Sequence, residues 1–384
     1  MKVTIEVEAV DGSARTGTVR TARGTLPAPL FMPVGTRGAV KTLSSADLEA
    51  LGVPLVLGNT YHLMLRPGDA LIRDLGGLHG FMDWHGHVLT DSGGYQVFSL
   101  DPKVDDSGAT FRSHYDGDLL HLSPESSAAI QTNLGADIQM VLDVCPALPS
   151  TVPVLRDAVD RTAAWAVRGR KAFLAAADDR LARGLDQAQF GICQGGTDLA
   201  LRAESAVRTV EVGFDGYAIG GLSVGETREQ MLPALAAALE HLPADQPRYL
   251  MGVGDPASVV EAIGLGVDLF DCVLPTRLAR HGTALTDAGR LNVRNLAYVR
   301  DERPLQPGCS CPVCGRWTRA YLRHLVRVGE PTGARLVTMH NLHWTLDLVA
   351  RAREAIATGR YGAFRDGIVE VWGAGGGAGP STVD

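Results

Sequence analysis

Eight short apolar runs, most of them followed by a helical pattern, constrain this chain more than any other feature of its sequence. They are LFMPV (30–34), VPLVL (53–57), HVLT (87–90), IQMVLD (138–143), FGICQ (190–194), GYAIGG (216–221), RYLMG (248–252) and DLFDC (268–272). Runs of this length, apolar on both faces, suit the strands of a parallel sheet covered by helices. The stretches SSADLEALG, SPESSAAIQTNLG, VPVLRDAVDRTAAWAVRGRKAFLAAA and REQMLPALAAALEHL supply the helical spacing between them. Eight such units in roughly 240 residues fit an α/β fold of the (β/α)8 TIM-barrel type better than an open sheet.

In a barrel, chemistry gathers at the C-terminal ends of the strands. Here the runs end in Asp91, Asp143, Gln194, Gly220-Gly221, Met251-Gly252 and Asp271. Any one of these is equally well explained as a turn or N-cap residue. Six segments choosing such endings together point instead to a polar site at one rim. Two further runs end in Gly35-Thr36 and Gly58-Asn59, where close chain approach or capping suffices.

At 384 residues, 45% hydrophobic and 21% charged, the chain can bury one large core and carry an appendage. No apolar run approaches the roughly 18 residues that span a bilayer. The start, MKVTIEVEAVDG, alternates and is acidic, so no signal peptide is expected and the cytoplasm is the expected compartment.

Six cysteines divide into two groups. Cys145, Cys193 and Cys272 stand singly inside apolar runs and read as buried thiols. Cys309, Cys311 and Cys314 are bunched in CSCPVC, which favours a metal over core packing. Three thiolates and one imidazole make a closed structural zinc set. Spacing leaves the imidazole open among His324, His340 and His343. A barrel needs no such ion, so the cluster is expected to staple an insertion at about 280–345, after strand eight. The resulting organisation is a β hairpin or small sheet over 1–29, a catalytic barrel over 30–372 holding that insertion, and a flexible tail over 373–384.

Charge is unevenly placed. The chain carries a formal −7, yet residues 277–327 hold ten arginines against three acidic residues. Ion pairing on a solvated surface explains short runs of this kind; fifty residues of one sign beside a proposed rim suggest a docking polyanion. Arginine's forked guanidinium suits phosphates. Charge alone does not separate RNA from DNA.

Taken together, FMPVGT, LGNTYHLMLRPG, LTDSGGYQVFSL, FRSHYDG, FGICQGG, GYAIGGLSVGE, YLMGVG, DLFDCVLPTR and the CSCPVC…His340 set resemble the bacterial tRNA-guanine transglycosylases. The resemblance runs over nearly all of residues 30–370. It implies a homodimeric, zinc-containing barrel enzyme. The reaction would replace guanine at the wobble position of tRNAs with a GUN anticodon by 7-aminomethyl-7-deazaguanine (preQ1).

The family's roles fall on Asp271 as nucleophile and Asp91 as general acid/base. Ser92, Gly93, Gly94, Asp143, Cys145, Gln194, Gly221, Leu222 and Val224 would hold the base, with Tyr95 and Met251 against its faces. Gly252, Val253, Gly254, Asp255, Pro256, Ala257, Ser258, Thr276, Arg277, Leu278, Ala279 and Arg280 would meet the tRNA. Cys309, Cys311, Cys314 and His340 would bind one structural Zn2+ per subunit. Glu226 is a further candidate for the aminomethyl group.

Those residue types fit the chemistry. A carboxylate attacking C1′ gives a covalent ribosyl intermediate, and a second displacement restores the configuration. Guanine leaves poorly as an anion, so a proton-handling group is needed beside it. The sequence departs from many bacterial relatives at Val144, where they carry glutamate, which puts one supporting contact in doubt. A barrel metal-dependent hydrolase would need an open metal at the rim, and the cysteine set lies elsewhere. A non-enzymatic RNA-binding relative is disfavoured because both Asp91 and Asp271 are present.

Overall fold

In the computed structural model, which describes residues 3–373, each of the eight apolar runs contains a strand, and the strands close into one parallel barrel. In chain order they are β1 (Leu30–Gly35), β2 (Leu55–Gly58), β3 (His87–Thr90), β4 (Ile138–Met140), β5 (Ala188–Cys193), β6 (Gly216–Ile219), β7 (Arg248–Leu250) and β8 (Leu269–Cys272). Closure comes where β8 pairs with β1, Leu269 opposite Leu30 and Asp271 opposite Met32. The strands are buried on both faces because side chains fill the interior and helices cover the outside. That double burial is why they read as continuous apolar runs.

Helices Ser45–Ala50, Pro124–Leu134, Val152–Ala175 and Arg228–Leu239 occupy the four stretches with helical spacing. Ser44 and Ser123 each start a helix with a reciprocal capping box, satisfying first-turn amides that have no intrahelical partner.

The N-terminal segment forms an antiparallel sheet of Thr4–Asp11, Ala14–Arg20 and Thr25–Ala28. Arg15 from this sheet forks onto the buried carboxylate of Asp268, with Nε 2.9 Å from Oδ1. Asp268 also accepts from the Arg248 amide at 2.7 Å, and its own carbonyl accepts from Leu30. One carboxylate therefore ties the sheet to the starting ends of β1, β7 and β8. Removing one partner of a buried pair of this kind costs about 3–5 kcal/mol.

One element has no counterpart in the sequence reading. Lys103–Asp105, Gly108–Arg112 and Leu119–Leu122 form a second antiparallel sheet between β3 and β4. Its strands are short and two of the three are largely exposed, so their apolar periodicity is weak. Phe111 and Leu122 pack with Trp165 of the long helix, which supplies the ordering that local propensity does not.

After β8 come a hairpin of Thr283–Thr286 and Gly289–Asn292, the helix Arg319–Val328 and the long helix Pro331–Ala357. The last of these runs unbroken for 27 residues and carries His340. A final helix spans Tyr361–Trp372. The tail expected over 373–384 lies, apart from Gly373, outside the described residues. Among the described residues no helix is long and apolar enough to cross a membrane.

Candidate active site

The C-terminal ends of the strands surround a cavity of about 200 Å³ lined by Asp91, Asp143 and Asp271. Each of the three carboxylates is at most 9% exposed. Asp91 follows the last residue of β3, where Gly93, in the left-handed region at φ 81°, turns the chain into the helix Gly94–Phe98. Its Oδ1 accepts from the amides of Thr60 at 2.8 Å and Gly93 at 3.2 Å, while Oδ2 accepts from Asn59 Nδ2. Thr60 opens the helix Thr60–Leu65, so Asp91 caps a helix on the neighbouring strand and lines the cavity at once. Burial outweighs these donors and pushes its carboxyl up to about 6.

Asp143 lies just past β4. Ser92 Oγ donates to its Oδ1 at 3.1 Å and Gln194 Nε2 to its Oδ2 at 2.6 Å. Burial raises it to about 6, and the charge of Asp91 adds to the shift. Asp271, within β8, receives Tyr249 Oη at 2.6 Å and the Gly252 amide at 2.8 Å. Both donors converge on Oδ1, so neither engages Oδ2. Burial raises this carboxyl as well.

Of the residues expected to hold a base, Ser92, Tyr95, Cys145, Gly221, Leu222, Val224 and Met251 line the cavity with Asp143. Gln194 sits behind it, anchoring Asp143, and its Oε1 has no hydrogen-bond partner among the described residues. Gly93 and Gly94 are not in the wall. A Cβ on Gly94 would fall 3.0 Å from the Asp143 carbonyl, so that glycine permits close contact with the Asp143 segment.

Glu226 turns away from the cavity and accepts from the amides of Ser223 and Val224. Val144, at the position that departs from many relatives, packs against the apolar cluster containing Tyr61, Phe111 and Trp165.

Of the residues expected to meet tRNA, Gly252, Thr276, Arg277 and Arg280 line the cavity. Val253, Gly254, Pro256, Ala257, Ser258 and Ala279 are buried, and Asp255 caps the helix Pro256–Gly264 by accepting from the Ser258 amide. Leu278 is half-buried and packs against the cluster around Trp344. The arginine-rich segment also divides. Arg303 and Arg319 pair with Asp301, and Arg319 further donates to the Pro304 and Leu305 carbonyls, while Arg277 and Arg280 reach the cavity.

Several cavity residues escaped the sequence reading. Asn59 reads in the sequence as a cap, yet its side chain makes no cap bond and goes to Asp91. Tyr249 is wholly buried beneath Asp271, and burial beside that carboxylate raises its phenol well above the ordinary range, so it stays a donor. His62 lines the cavity with Nε2 unpartnered among the described residues. The run NTYH directly after β2 was the available signal for Asn59 and His62. Tyr249, in mid-strand, had none.

The ligand atoms of Cys309, Cys311, Cys314 and His340 all lie within 4.8 Å of one another, an arrangement that could hold a metal ion. His340 Nδ1 stands 3.9, 3.4 and 3.4 Å from the three sulfurs. A tetrahedral zinc at ordinary bond lengths requires roughly 3.5 Å between such atoms. His340 Nε2 lies 2.8 Å from the Leu285 carbonyl, a contact that places the ring proton there and leaves Nδ1 for the ion. His343 instead faces Ser310, and His324 is exposed.

A family model described as queuine tRNA-ribosyltransferase matches residues 11–374. The chain belongs to that family. Proteins named queuine tRNA-ribosyltransferase from Thermus thermophilus and Listeria welshimeri are 51% and 49% identical to it. The alignments cover 94% of this chain and 91% and 93% of those relatives. One from Natranaerobius thermophilus is 46% identical over 94% of this chain and 96% of its own length. Membership in the queuine tRNA-ribosyltransferase family makes the chain a pentosyltransferase.

Two outcomes follow for this family member. Cys311→Ser should lower the bound metal, measured by atomic emission, and open residues 280–345 to limited proteolysis at intact barrel helicity; full metal content in the variant would contradict the assignment of the ligands. The raised carboxyls predict a pH effect. Between about pH 4 and 6 the folded protein holds protons at Asp91 and Asp143 that the unfolded chain has released. Their stabilising contribution is therefore present at low pH and lost as pH rises through about 6. Asp91→Asn lacks its share, so the wild-type advantage in denaturant melts should shrink between about pH 4 and 7.5. A gap that widens would show that Asp91 is not held protonated.

Proposed function

We propose that this chain exchanges guanine at wobble position 34 of tRNAs with a GUN anticodon, those for Asp, Asn, His and Tyr, for preQ1. The observation that carries the reading is the set of three buried carboxylates around one cavity. Asp271 has one oxygen unclaimed by its donors, and Asp91 has a carboxyl near 6 that can both give and take a proton.

Asp271 attacks C1′ as the guanine–ribose bond breaks, forming a ribosyl ester. Tyr249 and the Gly252 amide keep its Oδ1 fixed while Oδ2 reacts. Asp91 supplies a proton to the departing guanine and later takes one from the incoming base. The second displacement frees Asp271 with the original configuration at C1′.

Asp143 accepts from the purine's N–H edge, and the unpartnered Oε1 of Gln194 stands behind it for the same edge. Tyr95 and Met251 flank the ring, and Val224 bounds the room beyond the 7-substituent, favouring preQ1 over the bulkier queuine. Arg277, Arg280 and Thr276, with Gly252, take the anticodon loop, from which a base unstacks at lower cost than from a duplex. The remaining expected tRNA contacts, where buried, would act through backbone atoms.

One Zn2+ per subunit, held by Cys309, Cys311, Cys314 and His340, supplies structural cross-linking and no chemistry. The working form follows the family likeness as a cytoplasmic homodimer, which sedimentation equilibrium tests directly: a monomer at all concentrations would remove that part of the reading.

The function is tested by incubating the purified chain with radiolabelled guanine and a panel of tRNAs. Label should enter GUN tRNAs alone, and unlabelled preQ1 should then displace it. Asp271→Ala and Asp271→Asn should lower incorporation at least 1,000-fold. Val224→Gly should narrow the preference for preQ1 over queuine. Incorporation at wild-type rate by Asp271→Ala, or into tRNAs of every anticodon, would overturn the reading.

A further inference from the structure

Behind the cavity wall lies a charge that the proposed reaction has not used. Arg202, in the helix Leu199–Val212, is fully buried. Each of its four hydrogen bonds goes to a backbone carbonyl. Nε donates to Gly196 at 2.7 Å, Nη1 to Cys193 at 3.2 Å and Gly220 at 2.7 Å, and Nη2 to Gly221 at 2.8 Å. Burial pulls the guanidinium down to about 10, so it stays charged at neutral pH. Burying an arginine without a directly bonded carboxylate is costly, and simple packing would be served by methionine.

The consequence lies on the other side of the two peptides it grips. In a trans peptide the C=O and N–H point in opposite directions. Arg202 holds the carbonyls of Gly220 and Gly221 from behind, which turns the amides of Gly221 and Leu222 away from it. Gly220, Gly221 and Leu222 all line the cavity. Cys145, another wall residue, lies on that side of the Gly221 amide. Gly221 can take this course because its φ is +63°, in the left-handed region. A Cβ there would also strike Gln194 Oε1 at 2.1 Å. Successive amides turned to one side form an anion-binding concavity, and a cation on their carbonyls strengthens them as donors.

We infer that Arg202 is a positioning residue that aims the Gly221 and Leu222 amides at the 6-oxo group of the purine, stabilising the charge that gathers there as the base departs. The inference rests on the proposed guanine exchange and deepens it. What it adds is that the direction of those backbone donors is set by a charge outside the cavity.

The test compares guanine with 2-aminopurine, which keeps the 2-amino group and lacks the 6-oxo group together with the N1 proton. Competition by each base is measured in the tRNA exchange assay with wild type, Arg202→Lys and Arg202→Gln, and each base is titrated calorimetrically against the same proteins. Wild type should bind guanine at least tenfold more tightly than 2-aminopurine. Both variants should weaken guanine about tenfold or more, leave 2-aminopurine within about twofold, and keep the KM for tRNA while kcat falls.

Equal loss of both bases would mark Arg202 as a purely structural support and overturn the proposal. So would unchanged guanine affinity in a folded variant. Wild-type protein that binds the two bases equally would overturn it without any variant being needed. A wild-type chain that exchanges no guanine at all would instead remove the underlying reading of the site, a distinct outcome of the same assay.

Discussion

Desolvation of carboxylates at the open end of a barrel is the constraint on which the rest of this molecule turns. Asp91, Asp143 and Asp271 are removed from water, and the donors that meet them are neutral: two amide side chains, a serine hydroxyl, a phenol and backbone N–H groups. Neutral donors hold a carboxylate in place without neutralising it. The result is acids shifted upward toward neutrality, where a proton can be given or taken with little driving force.

Holding such groups requires a rigid frame, and the barrel supplies it from several strands at once. Asp91 is fixed from β2 through Asn59 and Thr60, and Asp143 from β5 through Gln194. Asp271 is fixed from β7 through Tyr249. Each acid is therefore oriented from another strand or the turn that follows it, so closure of the sheet and geometry of the site are one problem. At the opposite end, Asp268 draws the N-terminal sheet onto the same strands through Arg15. The metal-ligand cluster lies beyond the barrel proper, where His340 and Leu285 join the long C-terminal helix to the hairpin after β8.

Much of the barrel was legible because its strands are buried on both faces, which writes an unbroken apolar run into the sequence. The acids at the run ends were legible for the same reason, since a carboxylate directly after such a run stands out. What escaped notice was tertiary. Asn59 looked like a cap, because nothing in GNTYH says that its amide crosses to Asp91. Tyr249 was invisible inside RYLMG, where an aromatic residue in a strand needs no explanation. The small sheet between β3 and β4 has short strands, two of them largely exposed, ordered by contacts with Trp165 from a distant helix. Arg202 sits in an ordinary helical pattern, and only the fold shows that its charge is spent on carbonyls of two loops. Spacing also leaves the fourth member of the cysteine cluster open among three histidines, and His340 is the one whose Nδ1 meets the three sulfurs.

The central claim is that Asp271 forms a bond to ribose while the other acids manage the base. Its most direct test is to quench the full-length chain with denaturant during turnover on a GUN tRNA and examine the protein by gel and peptide mass spectrometry. The account predicts an RNA-linked species whose modified peptide maps to Asp271, absent in Asp271→Asn. An adduct on any other residue, or turnover by wild type with no adduct under any quench, would contradict it.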